Sequence, residues 1–131
     1  MRQLPAGRYV VAVYEGESFL ASVCEDQKEV KEGYVRLSYM SIKGTNQFSW
    51  PEKDDIMETC LEDVLMDSVD PVPVNSRGHL GLQKKEFALL IRKMVVIYYH
   101  LTVFHFIFSK TLSWSNSTYY LMTVRSSVET E

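Results

Sequence analysis

Five short runs of apolar, aromatic and β-branched residues occupy the first 65 residues, and they constrain the fold more than any other feature of the chain. The runs are RYVVAVY (8–14), FLASVCE (19–25), YVRLSYM (34–40), QFSW (47–50) and IMETC (56–60). Each has the length of a β-strand and ends near glycine, proline or acidic residues. Short strands at this spacing are typical of a small antiparallel barrel, which removes its own exposed edges.

The segments between these runs have the residues of turns. In EGES (15–18), Gly16 can take the positive φ that a tight hairpin turn requires. Residues 41–46 are predicted to form another turn, and Pro51 ends the fourth strand because proline lacks the ladder donor. The sequence LEDVL (61–65) predicts a single helical turn. The expected fold class is mainly β, with a five-stranded small barrel followed by a short helix.

Composition and periodicity divide the chain into four parts. The barrel is expected over residues 6–66, and residues 67–82, which contain prolines and glycines without a period, are expected to be a linker. Residues 83–94 predict a short amphipathic helix, because apolar residues recur there at helical spacing. Residues 95–131 form an apolar tail for which the sequence indicates no definite structure.

The charged residues are distributed unevenly between these parts. Of the 14 basic and 17 acidic residues, only two of each follow Lys93. The apolar run over residues 94–109 is shorter than the roughly 20 residues of a membrane span, and His100 and His105 interrupt it. Two interpretations stay open, namely a membrane anchor over residues 94–112 and sequence from alternative splicing or read-through that was never selected to fold.

Net charge and motifs exclude several functional classes. The formal net charge of −3 argues against a general nucleic-acid binder, which has a basic surplus. The two cysteines, Cys24 and Cys60, do not make a disulfide framework, and no spacing of metal ligands, phosphate-binding loop or nucleophile motif is visible. We therefore expect an intracellular protein that is not an enzyme and uses no metal or cofactor.

A set of short motifs resembles the Tudor-like small β-barrel family. The matching pieces are YEG (14–16), Phe19, YM (39–40), WPE (50–52), DDI (54–56) and LEDVL (61–65). They are most similar to a divergent version of the family found in many animal proteins, some of them related to mobile elements. The resemblance covers roughly residues 7–66, half of the chain.

The resemblance implies a non-enzymatic binding module that holds a methylated lysine or arginine, or a basic peptide such as a histone tail, in an aromatic cage. This function would connect the protein with chromatin and the nucleus. Cation–π attraction to ring faces supplies the affinity, and neighbouring carboxylates complement the charge. By position, the cage candidates are Tyr14, Phe19, Tyr39, Phe48 and Trp50, and the acidic rim would be Asp54 and Asp55.

Two alternatives to this interpretation remain open. The same aromatic residues could fill the barrel core, since a small barrel needs large side chains in its interior. The barrel could also be an interaction or scaffolding module without methyl preference, with partner contacts made by the helix and the apolar tail. The membrane anchor over residues 94–112 is a third function hypothesis.

Overall fold

The computed structural model describes the backbone of residues 4–112 and the side chains of residues 4–107. Within them the chain is mainly β, with two antiparallel sheets and one C-terminal helix. The strands are β1 Tyr9–Tyr14, β2 Glu17–Val23, β3 Tyr34–Tyr39, β4 Ser41–Gly44, β5 Gln47–Ser49, β6 Asp55–Cys60, β7 Val64–Val69, β8 Val72–Pro73 and β9 Leu80–Gly81, with a 3₁₀ turn at Leu61–Asp63 and the helix α1 at Lys84–Leu112. Each of the five predicted strand runs contains a strand, whereas β4 lies where a turn was expected.

The larger sheet has the strand order β6-β3-β2-β1-β7, so its two edge strands follow one another in the chain. A flat sheet would separate these edges by about 19 Å, at the usual spacing between strands. The chain from Cys60 to Val64, which contains the 3₁₀ turn, spans at most about 14 Å. The sheet must therefore curl. Within residues 4–112 no strand pairing joins β6 to β7, so the expected barrel is not closed.

The hairpin between β1 and β2 has the two-residue turn that the sequence predicts. Tyr14 pairs with Glu17, and the two turn residues between them, Glu15 and Gly16, have φ values of 50° and 80°. Two consecutive positive φ values define a type I′ turn, whose twist matches that of the strands. The prediction of a positive φ at Gly16 is confirmed, while Glu15 takes a conformation that residues with a Cβ adopt at a cost.

The main core lies on one face of the curled sheet. Its buried members alternate along the strands and are Val10, Ala12, Ala21, Val23, Val35, Leu37, Tyr39 and Val64. Side chains on the other face are buried as well, since Val11 is 1% exposed and Leu20 is fully buried. Burial on both faces explains why β1 is apolar at every position.

The second sheet has the order β4-β5-β9-β8 and changes the interpretation of residues 67–82. This range was expected to be a linker, but it contains β8, β9 and the end of β7. The Asn46 side chain donates to the Leu82 carbonyl at 2.9 Å and accepts from the Leu82 amide at 2.8 Å. A Cβ at Gly81 would collide with the Asn46 carbonyl oxygen. Strands of two residues are too short to show an alternating pattern, which is why the sequence did not reveal them.

The helix begins where predicted but ends later. Gln83 precedes its first turn, and the Gln83 amide donates to the Glu86 carboxylate at 3.3 Å, as in a capping box. The helix continues to Leu112 instead of ending at residue 94, so 95–112 is helical and the rest of the predicted tail lies outside the described residues. The described residues divide at Leu90 into two compact units, a β unit and a unit formed by the rest of the helix.

Candidate functional site

Three of the predicted cage residues lie on one face of the larger sheet, near the same end. Phe19 pairs with Ala12, two residues before Tyr14, and Tyr39 pairs with Ala21, two residues after Phe19. Because side chains alternate along strands, Tyr14, Phe19 and Tyr39 share a face. The Phe19 and Tyr39 rings meet edge to face, with centroids 5.7 Å apart and an interplanar angle of 75°.

The carboxylate of Asp55 belongs to the same end of the sheet. Asp55 is the partner of Tyr39 in the pairing of β3 with β6, and it is exposed. Asp63, in the 3₁₀ turn, is also exposed, and its charge acts on the Tyr39 phenol. We refer to Tyr14, Phe19, Tyr39, Asp55 and Asp63 as the Tyr14 corner.

Tyr39 is the buried support of the corner. It is 2% exposed, and its hydroxyl shares a hydrogen bond of 2.7 Å with the Thr59 hydroxyl. Burial raises the pKa of the Tyr39 phenol, the Thr59 hydrogen bond opposes this effect, and the negative charges of Asp63 and Asp55 raise the pKa further. The phenol is therefore held neutral, and its ring positions Phe19.

Tyr14 provides the accessible surface of the corner. Its side chain is 46% exposed at the end of β1, and Phe19 is half-buried against the core. Glu15 and Glu17, on either side of Gly16, are exposed acidic residues next to it. An open ring beside several carboxylates is the arrangement that attracts an organic cation.

Phe48 and Trp50 lie apart from this corner. Phe48 is 6% exposed in the second sheet, where it pairs with Ile42 and Leu80. Trp50 follows β5, is 46% exposed and packs on Tyr9 with centroids 6.4 Å apart. Tyr9 alternates with Val10 and so points to the face opposite to that of Tyr14. The five predicted cage residues thus do not form one cage: Tyr14, Phe19 and Tyr39 share a sheet face, Phe48 is buried in the second sheet, and Trp50 packs on Tyr9.

The two predicted rim acids also face different groups. Asp55 acts on Tyr39, whereas the charge of the exposed Asp54 acts on Cys24. The pKa of the Cys24 thiol is raised, first by burial, while Arg36 opposes this and Asp26 and Asp54 add to it. Asp55 is the first residue of β6, whereas Asp54 precedes the strand.

Sequence reasoning did not identify Thr59 or Asp63 as members of the site. The period of two along β6 could have indicated Thr59, because it shares a face with Asp55. No sequence pattern indicated Asp63, because the 3₁₀ turn determines where its side chain lies. Among the described residues, no group of three or more histidine, cysteine, aspartate or glutamate side chains could hold a metal ion.

Comparisons of the chain with protein-family models, with curated proteins and with solved structures gave no match. No relative therefore supplies a function. The features of the chain that bear on its function are the geometry of the Tyr14 corner and the exposed surface of the helix.

Proposed function

We propose that the β unit is a non-enzymatic module that binds the cationic side chain of a basic or methylated peptide at the Tyr14 corner. The observations that support this best are the edge-to-face contact of Phe19 with Tyr39, the place of Tyr14 on the same sheet face, and the charges of Asp55 and Asp63 that act on Tyr39. Nucleic acid is not the partner in this proposal, because the corner is acidic.

The chemistry of the corner suits a lysine or arginine derivative. The ring faces of Tyr14 and Phe19 would attract the cation, with about 0.5–2 kcal/mol for each good contact. Tyr39 would hold the Phe19 ring in place through their edge-to-face contact. Asp55 and Asp63 would complement the charge, and would add hydrogen bonds where the cation still carries N–H groups.

We also propose that the curled sheet is a Tudor-like, SH3-like barrel that lacks its closing pair. The strand order and the 3₁₀ turn between the two edge strands support this assignment. The motif resemblance over residues 7–66 agrees with it. In this assignment the Tyr14 corner lies at one end of the barrel, where the β1–β2 hairpin meets the start of β6.

Calorimetric titration of the full chain with lysine peptides in four methylation states, and with dimethyl-arginine peptides, tests the proposal. Tyr14→Ala should weaken binding about 2- to 30-fold, which corresponds to the loss of one cation–π contact of about 0.5–2 kcal/mol. Tyr34→Ala is the matched control, because Tyr34 is 43% exposed at another strand end and pairs with Cys60. It should change the affinity by less than about twofold.

A second pair of variants tests the carboxylates. Asp55→Asn should weaken binding of unmodified and monomethylated lysine more than binding of trimethyl-lysine, which has no N–H to donate. Asp54→Asn should have little effect, since Asp54 precedes β6 and, unlike Asp55, is not a strand partner of Tyr39. Equal losses for Tyr14→Ala and Tyr34→Ala would contradict the proposal. Tight binding of an unmodified peptide that survives Tyr14→Ala would instead favour a scaffolding module without methyl preference.

A further inference from the structure

The stretch of α1 that follows Lys93 is apolar and carries no charged residue up to Ser109. Between Lys93 and Lys110 the sequence is MVVIYYHLTVFHFIFS, and the helix is continuous through it to Leu112. The segment Lys84–Ile107 is long and apolar enough to cross a membrane, by length and composition alone. A core helix of a soluble protein also passes this test, but it buries its apolar residues. The exposure of the apolar side chains therefore distinguishes a core helix from a membrane span.

Most apolar side chains of this segment are exposed, and the exposed ones lie on every side of the helix, while Met94, Ile97 and Phe106 are partly buried. Val95 and Tyr99 are each 61% exposed and Leu101 is 64% exposed. The exposed set is Val95, Val96, Tyr98, Tyr99, Leu101, Val103, Phe104 and Ile107. At about 100° per residue, these side chains leave no gap wider than about 60° around the helix axis. A helix that pairs with one partner helix needs only one apolar stripe, whereas a helix in lipid is apolar all round.

The dimensions and the polar groups of the segment also suit a bilayer. Residues 94–112 form a helix about 28 Å long, close to the roughly 30 Å of a hydrocarbon core. The Thr102 hydroxyl donates to the Tyr98 carbonyl at 2.9 Å, so it is satisfied within the helix. This matters because lipid offers no hydrogen-bond partner. His100 and His105 are polar residues within the apolar stretch, and Ser109, Lys110 and Thr111 lie at the far end of the segment.

Basic residues precede the apolar segment along the helix. Lys84, Lys85, Arg92 and Lys93 stand against one acid, Glu86, in residues 84–93. Positive charge next to an apolar span is attracted to anionic headgroups and is characteristic of the cytoplasmic end of a span. We propose that residues 94–112 insert into a lipid bilayer, with Arg92 and Lys93 at the headgroups of the anionic leaflet.

Flotation of the full chain with vesicles of phosphatidylcholine and phosphatidylserine tests this inference. We expect the protein to float with the vesicles and to remain bound after a high-salt wash, since salt removes headgroup attraction but not insertion. Leu101→Arg should reduce the floating fraction about tenfold, because a charge near the middle of a span is costly. Leu89→Arg is the matched control, since Leu89 is 42% exposed on the same helix but precedes the span.

Thermal unfolding of both variants, followed through the β unit, shows whether each has folded. The inference is overturned if the full chain stays in the aqueous fraction, as a monomer or as an assembly with a second copy. Release by high salt would also overturn it, as would equal flotation of the two variants. The inference does not depend on peptide binding at the Tyr14 corner, so either proposal can fail alone.

Discussion

The β unit and the second half of the helix are both rich in apolar residues but expose them very differently. All sixteen buried hydrophobic residues in the described part of the chain lie between Val10 and Leu90. From residue 91 to residue 107 no described side chain is buried. The difference shows that apolar content alone does not create a core. A period of two places side chains on the faces of a sheet, while an unbroken apolar helix needs apolar surroundings on all sides.

Matched truncations in the two regions should give the largest difference. Leu37 is fully buried and Leu101 is 64% exposed. Leu37→Ala should lower the free energy of unfolding of the β unit by about 2–5 kcal/mol, through lost burial and a new cavity. Leu101→Ala should change it by less than about 0.5 kcal/mol. Denaturant unfolding monitored by circular dichroism measures both, and equal losses would remove the distinction between the two regions.

A smaller effect is expected at the buried hydrogen bond of the β unit. Tyr39→Phe removes the partner of the Thr59 hydroxyl, which is 7% exposed, and should lower the free energy of unfolding by about 1–2 kcal/mol. The double variant Tyr39→Phe with Thr59→Val replaces both polar groups and should recover much of the loss. If the double variant loses as much stability as the two single variants lose together, the two hydroxyls are not a pair.

The same tyrosine should also make stability dependent on pH in the alkaline range. Burial raises the pKa of Tyr39 in the folded chain, so the folded state holds this proton at pH values where the unfolded state has released it. The contribution of protonated Tyr39 to the free energy of unfolding is fully present below the ordinary tyrosine pKa of about 10. It is lost as the pH rises through the higher pKa of Tyr39 in the folded chain. The melting temperature of the natural chain should therefore fall more steeply above this pH than that of Tyr39→Phe. Parallel profiles would contradict the buried position of Tyr39.

The smallest effect is a gain in stability at the β1–β2 turn. Glu15 has a φ of 50°, which glycine and asparagine tolerate better than glutamate. Glu15→Asn should raise the free energy of unfolding by about 0.5–1 kcal/mol, as residues suited to type I′ turns do. A change at the exposed Glu25, which is outside the positive-φ region, serves as the control. A lower melting temperature for Glu15→Asn would show that the carboxylate has a role beyond the turn.

The sequence predicts the strands well where alternation is long enough to detect. The six-residue strand β3 carries the clear alternating pattern and β1 is a continuous apolar run, whereas Ile42 in β4 stands between Lys43 and a serine and looks like part of a turn. The predicted helix was too short because the amphipathic pattern ends near Met94. The helix itself continues to Leu112. Pairing between distant segments, such as Asn46 with Leu82, leaves no local signal.

The candidate site was predictable only in part, for the same reason. The hairpin turn at Gly16 fixes the register of β1 and β2, so the proximity of Tyr14 and Phe19 follows from the sequence. The position of Trp50 does not follow, because it lies beyond the end of β5 and its packing on Tyr9 depends on how the sheets meet. The structure therefore has two accessible aromatic clusters, the Tyr14 corner and the Tyr9–Trp50 pair, where one cage was expected.

A nuclear magnetic resonance titration of the full chain with a trimethyl-lysine peptide tests cation binding at the Tyr14 corner most directly. Binding there should give the largest shifts at the amides of Tyr14 to Phe19 and of Asp55, while the signals near Tyr9 and Trp50 move little. Shifts that saturate at Tyr9 and Trp50 instead, or a spectrum unchanged by methylated and unmodified peptides alike, would contradict cation binding at the Tyr14 corner.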